Sequence, residues 1–145
     1  KRNGIGKEYY KDGILAFEGE YLNGKRHGTG KEYYYNNGEL EFEGEYLNSK
    51  RCNGKGKEFN FYNKIIFEGE YLNGEKNGIG NEYYEDGSLE FEGEYLNGKR
   101  WNGKRNEYYK NGKLKFEVEY LNGERNEKRK EYDKNGKLKF EGEYL

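Results

Sequence analysis

The block Phe-Glu-Gly-Glu-Tyr-Leu starts at Phe17, Phe42, Phe67, Phe91 and Phe140, and a copy with Val118 in place of the glycine starts at Phe116. Successive starts lie 25, 25, 24, 25 and 24 residues apart. A period this regular makes the chain an array of stacked units, each burying surface against its neighbours. A second block, Gly-x-Gly-Lys-Glu-Tyr-Tyr, falls between the copies of the first. It reads from Gly4 to Tyr10 and from Gly28 to Tyr34, is altered from Gly54 to Phe59 and from Gly78 to Tyr84, decays from Gly103 to Tyr109, and is nearly lost from Glu127 to Asp133.

A unit of this length is too short for two helices and a turn, and its apolar residues alternate, so strands are expected. In the stretch from Leu15 to Leu22, alternation puts Leu15, Phe17, Gly19 and Tyr21 on one face and Glu18 and Glu20 on the other. Asp12-Gly13, Asn37-Gly38, Asp86-Gly87, Asn111-Gly112 and Asn135-Gly136 follow the Tyr-Tyr strands, whereas Asn23-Gly24, Asn73-Gly74, Asn97-Gly98 and Asn122-Gly123 follow the Phe strands. These dipeptides supply the positive φ of tight hairpin turns. The expected fold is all-β: about six stacked hairpins over 4–22, 28–47, 54–72, 78–96, 103–121 and 129–145. Their twelve short antiparallel strands form one elongated, twisted, single-layer sheet. At about 4.8 Å per strand it extends roughly 55 Å. With no second layer, cohesion has to come from aromatic and Leu side chains on one face and from Glu and Lys rows paired across strands. Gly19, Gly44, Gly69 and Gly93 leave room for a neighbouring ring, so Val118 is an anomaly and Val118→Gly is expected to be tolerated or stabilising.

Composition supports an ordered array over a conventional core. Only 31% of residues are apolar, 38% are charged, and mean hydropathy is −1.47, yet there are 17 Tyr and 8 Phe at recurring positions. Net charge is −1, which gives no footprint for nucleic acid. The ends differ, however: 14 Lys/Arg face 7 Asp/Glu between Asn97 and Lys139, against 13 and 19 from Lys1 to Leu96. Cys52 is the only cysteine, so a reducing, cytoplasmic compartment is expected, with no disulfide and no cysteine-built metal site. No apolar run reaches the length of a membrane-spanning helix. A chain that starts at Lys1 is expected to be part of a longer one.

The recurring blocks resemble the MORN (membrane occupation and recognition nexus) repeat, whose pattern is an aromatic, any residue, Gly, any residue, an aromatic, then Asn-Gly-Lys and Gly-x-Gly. The run Phe17-Glu-Gly-Glu-Tyr21, followed by Asn23-Gly24-Lys25-Arg26-His27-Gly28-Thr29-Gly30, reproduces it almost fully. The Lys-Glu-Tyr-Tyr block is similar to MORN variant repeats. Departures gather later: Ser49 replaces a turn glycine, Cys52-Asn53 and Trp101-Asn102 add a residue each, and Arg105 and Arg129 replace the second glycine. The resemblance implies an elongated sheet with a groove, used to bind proteins, to dimerise or to sit near membranes. It also implies repeats that accompany catalytic domains without being the catalyst.

The chemistry-bearing residues read first as architecture. His27 and Cys52 hold nearly equivalent loop positions and are ordinary loop residues unless they meet. The pairs Glu18/Glu20, Glu43/Glu45, Glu68/Glu70, Glu92/Glu94, Glu117/Glu119 and Glu141/Glu143 make two acidic rows, expected to be neutralised by lysines such as Lys31 and Lys57, with divalent-cation binding the lesser reading. A catalytic acid pair needs two unlike environments, whereas an array makes like ones. Gly28-x-Gly30 is followed by no predicted helix, so it cradles no phosphate. The pairs Tyr9/Tyr10, Tyr33/Tyr34 and Tyr83/Tyr84 are expected to pack in ladders, one ring of each pair lining a groove. They are not read as a base-stacking platform.

The expected function is a protein-interaction or scaffolding module without catalytic residues or cofactor. Its candidate contact residues for a protein or peptide segment are Trp101, Arg100, Lys104, Arg105, Tyr108 and Tyr109, because Trp, Tyr and Arg are favoured interface anchors. Open sheet ends at Gly4 and Leu145 allow self-association. The alternatives are a peripheral membrane module and a regulatory repeat region attached to an enzyme elsewhere in the chain. In the former, Lys99, Arg125, Lys128, Arg129 and Lys130, together with Arg100, Lys104 and Arg105, meet anionic headgroups at a membrane or cytoskeletal periphery.

Overall fold

A computed structural model describes residues 1–143, the Glu127 side chain excepted; Tyr144 and Leu145, which the sequence puts at the end of the sixth hairpin, lie outside the described residues. Twelve strands follow one another: β1 Gly4–Tyr9, β2 Leu15–Leu22, β3 Lys25–Tyr33, β4 Leu40–Leu47, β5 Lys50–Phe59, β6 Ile65–Leu72, β7 Glu75–Tyr83, β8 Leu89–Leu96, β9 Lys99–Tyr108, β10 Leu114–Leu121, β11 Glu124–Tyr132 and β12 Leu138–Glu143. They pair antiparallel in sequence order as one open sheet, and among the described residues nothing covers it as a second layer.

From β3 onward the odd strands start three to five residues earlier than the patterning suggests. The cause is the two-residue turn before each of them. Asn23 and Gly24 adopt φ of 52° and 83°, the doubly positive turn whose twist suits a hairpin, and the same geometry recurs at Asn73, Asn97 and Asn122 with their glycines. Ser49 holds the glycine position at φ 69°. The other set of turns is longer: the Tyr10 amide bonds to the Ile14 carbonyl, with Gly13 at positive φ.

Every longer turn is followed by a register shift. Leu15 pairs with Tyr9 but Phe17 pairs with Glu8, so Ala16 is an extra residue, and the shift recurs before Phe42, Phe67, Phe91, Phe116 and Phe140. One extra residue exchanges the faces on either side of it. Leu15 therefore lies opposite Phe17, which corrects the expectation from simple alternation. The Leu residues that close each Phe strand, Leu22 to Leu121, are at least 39% exposed, so the buried face is aromatic without them.

That face holds the core. Phe17, Phe42, Phe67 and Phe91 are almost wholly buried, and Tyr21, Tyr46 and Tyr95 nearly so. Each Phe meets its own strand's Tyr and the next repeat's Tyr edge to face: Phe17 with Tyr21 at 5.7 Å and Tyr46 at 5.0 Å, and so onward to Phe91 with Tyr120 at 5.6 Å. Glycine makes the space beneath. Gly19 faces Gly30, Gly44 faces Gly54, Gly69 faces Gly80 and Gly93 faces Gly103. A methyl group on Gly19 would lie 2.6 Å from the Gly30 Cα and 2.8 Å from the Phe17 ring. The glycine ladder ends at Val118, which faces Arg105 and Arg129 and is itself buried. Val118 thus fills a place that its neighbours leave open, and its burial argues against the expectation that glycine is tolerated or stabilising there.

Replacing Phe42 by Ala should cost about 3–5 kcal/mol. Val118→Gly should lower the melting temperature as well, through lost burial and added chain entropy. Urea and thermal unfolding followed by circular dichroism check both, and an unchanged midpoint for either variant would refute this packing.

Candidate functional site

The aromatic face carries a repeated polar closure that the sequence reading missed. The register shift brings the Glu of each Lys-Glu-Tyr block onto the Phe side. There the Tyr hydroxyl donates to it: Tyr21 to Glu8 at 2.5 Å, Tyr46 to Glu32 at 3.0 Å, Tyr71 to Glu58 at 3.0 Å and Tyr95 to Glu82 at 2.6 Å. A basic residue just after four of the two-residue turns completes the set. Arg26 pairs with Glu8 and Glu32, Arg51 with Glu32 and Glu41, Lys76 with Glu58, and Arg100 with Glu82 and Glu90. The same cations roof the rings, Arg26 4.2 Å above Phe17 and the Lys76 ammonium 3.9 Å above Phe67. The signal was present as a Glu and a basic residue at fixed offsets from each Phe. Only the shifted register shows that they meet.

The opposite face presents charge in a ladder. Across successive strands Lys7, Glu18, Lys31, Glu43 and Lys55 are register neighbours. Glu92, Lys104 and Glu119 form a second such row, and Glu117, Lys130 and Glu141 a third, with Lys104 reaching Glu117 diagonally. Lys7–Glu18 and Lys31–Glu43 both close to 3.5 Å. The second acidic row braces backbone and amides instead: Glu20 accepts from the Thr29 amide, Glu70 from that of Ile79, and Glu45 from the Asn53 carboxamide. Two shallow depressions of about 380 and 440 Å³ lie along this face, spanning β1–β4 and β4–β7 and meeting at Glu43. Exposed Ile5 and Ile79 and half-exposed Leu40 line them among the charges.

Both members of the Tyr33/Tyr34 and Tyr83/Tyr84 pairs are engaged, whereas Tyr9 of the first pair is exposed. Tyr33 and Tyr83 donate to Glu18 and Glu68. Tyr10, Tyr34, Tyr84 and Tyr109 reach the carbonyls of Tyr33, Asn60, Asn106 and Tyr132 in the next hairpin. His27 lies beside Glu20, while the Cys52 thiol faces Asn53 Oδ1 at 3.7 Å.

The sequence-derived contact residues are divided between faces. Arg100 and Arg105 turn to the aromatic side, Arg105 pairing with Glu90 and Glu107. Lys104 stands in the charge ladder 3.5 Å from Glu117. Trp101 packs toward the β10–β11 turn, where a methyl group on Gly123 would lie 3.2 Å from its ring. A surface depression of about 710 Å³ does gather Arg105, Tyr108 and Tyr109 with Tyr84. Of the candidate anionic-surface residues, Lys99 and Arg125 are exposed. Lys128 and Lys130 come within 4.0 Å of Glu143 and 3.6 Å of Glu141, and Arg129 pairs with Glu131.

The model described as "MORN repeat" matches residues 17–39, 67–89 and 91–106, and "MORN repeat variant" matches 2–23, 101–122 and 128–145. Together these spans cover well over half of the chain. The chain belongs to the MORN repeat family. Residues 40–66 fall outside the matched spans, yet β4, β5 and β6 continue the MORN sheet in the same order. No curated protein matches the chain. Among the described residues no helix is long and apolar enough to cross a membrane.

The partly buried carboxylates make the MORN array sensitive to acid. Arg26 holds the Glu8 carboxyl below the usual carboxylate range. Burial pushes Glu32 and Glu82 upward, but the guanidiniums of Arg51 and Arg100, with the Tyr hydroxyls, outweigh it and leave both lowered. A depressed folded-state pKa stabilises above the unfolded value and loses that contribution as pH falls through the folded one. Stability should therefore hold from neutrality to about pH 4.5 and decline below it. The double variant Glu32→Gln, Glu82→Gln should be less stable at neutrality with a flatter acid limb. Urea midpoints measured from pH 7 to pH 3 decide this, and parallel curves would contradict it.

Proposed function

We propose that this MORN array is a non-catalytic scaffold for another protein or peptide segment, working in a cytoplasmic setting. The supporting observation is the run of two depressions that meet at Glu43, where Ile5, Leu40 and Ile79 stand among paired Lys and Glu residues. Apolar side chains set in a mixed-charge border suit a polypeptide, which offers both side-chain methyls and backbone dipoles. The opposite face is occupied by its own Phe, Tyr, Glu and Arg contacts, so it serves as the rigid support. MORN repeats occur in scaffolding and membrane-associated proteins, and the scaffold use agrees better with the charge pairing here. Lys104, Lys128 and Lys130 each stand opposite a Glu, which weakens the attraction of that region for anionic headgroups.

Immobilised chain should recover a defined protein from its native cells, and the double variant Ile5→Lys, Ile79→Lys, at two exposed side chains that face Glu20 and Glu94, should lose it with an unchanged melting temperature. Recovery of the same proteins by both forms would contradict the reading. Salt-sensitive flotation with vesicles containing phosphatidylserine, without any protein partner, would favour the membrane alternative.

A further inference from the structure

The turn between β5 and β6 is built like its counterparts but from different residues. The Asn60 amide bonds to the Lys64 carbonyl and the Asn63 amide to the Asn60 carbonyl, as Tyr10–Ile14 and Gly13–Tyr10 do in the first turn and Tyr84–Ser88 and Gly87–Tyr84 in the fourth. Asn60 thus replaces a Tyr whose counterparts tie hairpin to hairpin, and Phe61 replaces the charged Lys11, Glu85 or Lys110. Tyr62 replaces Asp12, Asp86 or Asn111, whose side chains accept from the backbone amide two residues on. Asn63 holds the left-handed glycine position at φ 59°.

The lost Asx contact is rebuilt from another residue. The Asn60 carboxamide oxygen accepts from the amides of both Tyr62 and Lys64, at 2.9 and 3.1 Å. The outcome is a fixed turn whose two aromatic rings are not used by the fold: Phe61 is 98% exposed and Tyr62 79%. Phe61 is more exposed than any other large hydrophobic side chain among the described residues. The turn also lies within residues 40–66, the segment outside both family matches. Around it the charge is acidic on both sides, with exposed Glu39 in the preceding turn and exposed Glu85 and Asp86 in the following one. Lys64, the turn's own cation, is directed to the Glu85 carbonyl at 3.0 Å.

We propose that the Phe61–Tyr62 turn is an aromatic anchor that seats in an apolar pocket, rimmed by Lys or Arg, on a folded protein partner. The inference rests on the scaffold reading and names a contact point beyond the sheet face. Preorganised aromatic side chains lose little freedom on binding and dominate interface energetics. Carboxylates on both flanks select a cationic rim and repel an anionic bilayer.

The test places a photo-reactive benzophenone amino acid, one variant at a time, at Phe61, at Ile79 and at Lys110, the position equivalent to Phe61 two hairpins later, in the full chain within its native cells. A polypeptide crosslinked from position 61 but not from 110 is then purified. The proposal expects its affinity for the chain to fall at least tenfold with F61A/Y62A and also with E39K/E85K, both variants keeping the wild-type melting temperature. Equal capture from 61 and 110, or unchanged affinity with F61A/Y62A, overturns it. Capture from 79 alone overturns the anchor and leaves the scaffold, and capture from none of the three overturns both. Binding to phosphatidylcholine vesicles containing phosphatidylserine, released by F61A/Y62A, overturns it in favour of a bilayer.

Discussion

Burial of a benzyl ring normally needs a second layer of structure, and this sheet supplies one from within itself. The ring of Phe17 lies on the bare backbone of Gly19 and Gly30, is walled by Tyr21 and Tyr46, and is roofed by the Arg26 guanidinium. Each component requires the others. Without glycine the ring has no floor, and without the Tyr hydroxyl and the cation Glu8 would be a half-buried charge lacking compensation. The fold is this seat repeated, and because the next repeat's Tyr forms one wall, each hairpin completes its neighbour.

The seat also explains why charge is so abundant in an ordered chain. Lys and Glu on the outer face pair across strands at modest gain, while Arg and Glu on the aromatic face are partly desolvated and matched. A conventional core is replaced by aromatic rings enclosed in ion pairs.

Period, strand number and turn chemistry were legible in the sequence because Asn-Gly turns and alternating aromatics are local signals. The facing of Leu15 was not, since a one-residue bulge at Ala16 leaves no local mark and reverses which side its neighbours occupy. For the same reason the meeting of Glu8, Glu32 and Arg26 on the aromatic face was not legible. Arg100 and Arg105, read as contact residues from their type, belong to that closure, whereas Lys104 one residue away from Arg105 stands on the other face. Val118 misled because its strand neighbours Arg105 and Arg129, which end the glycine ladder, were not known to face it. Phe61 and Tyr62 were readable as departures from the repeat, but their exposure depends on the turn that Asn60 rebuilds.

The Tyr hydroxyl, the Glu and the Arg act as one unit across adjacent repeats. A double-mutant cycle of Tyr46→Phe and Glu32→Gln, read from urea unfolding at neutral pH, measures it directly. A coupling of about 0.5–3 kcal/mol between the two sites is expected. Additive effects, with each single change costing the same in either background, would contradict it.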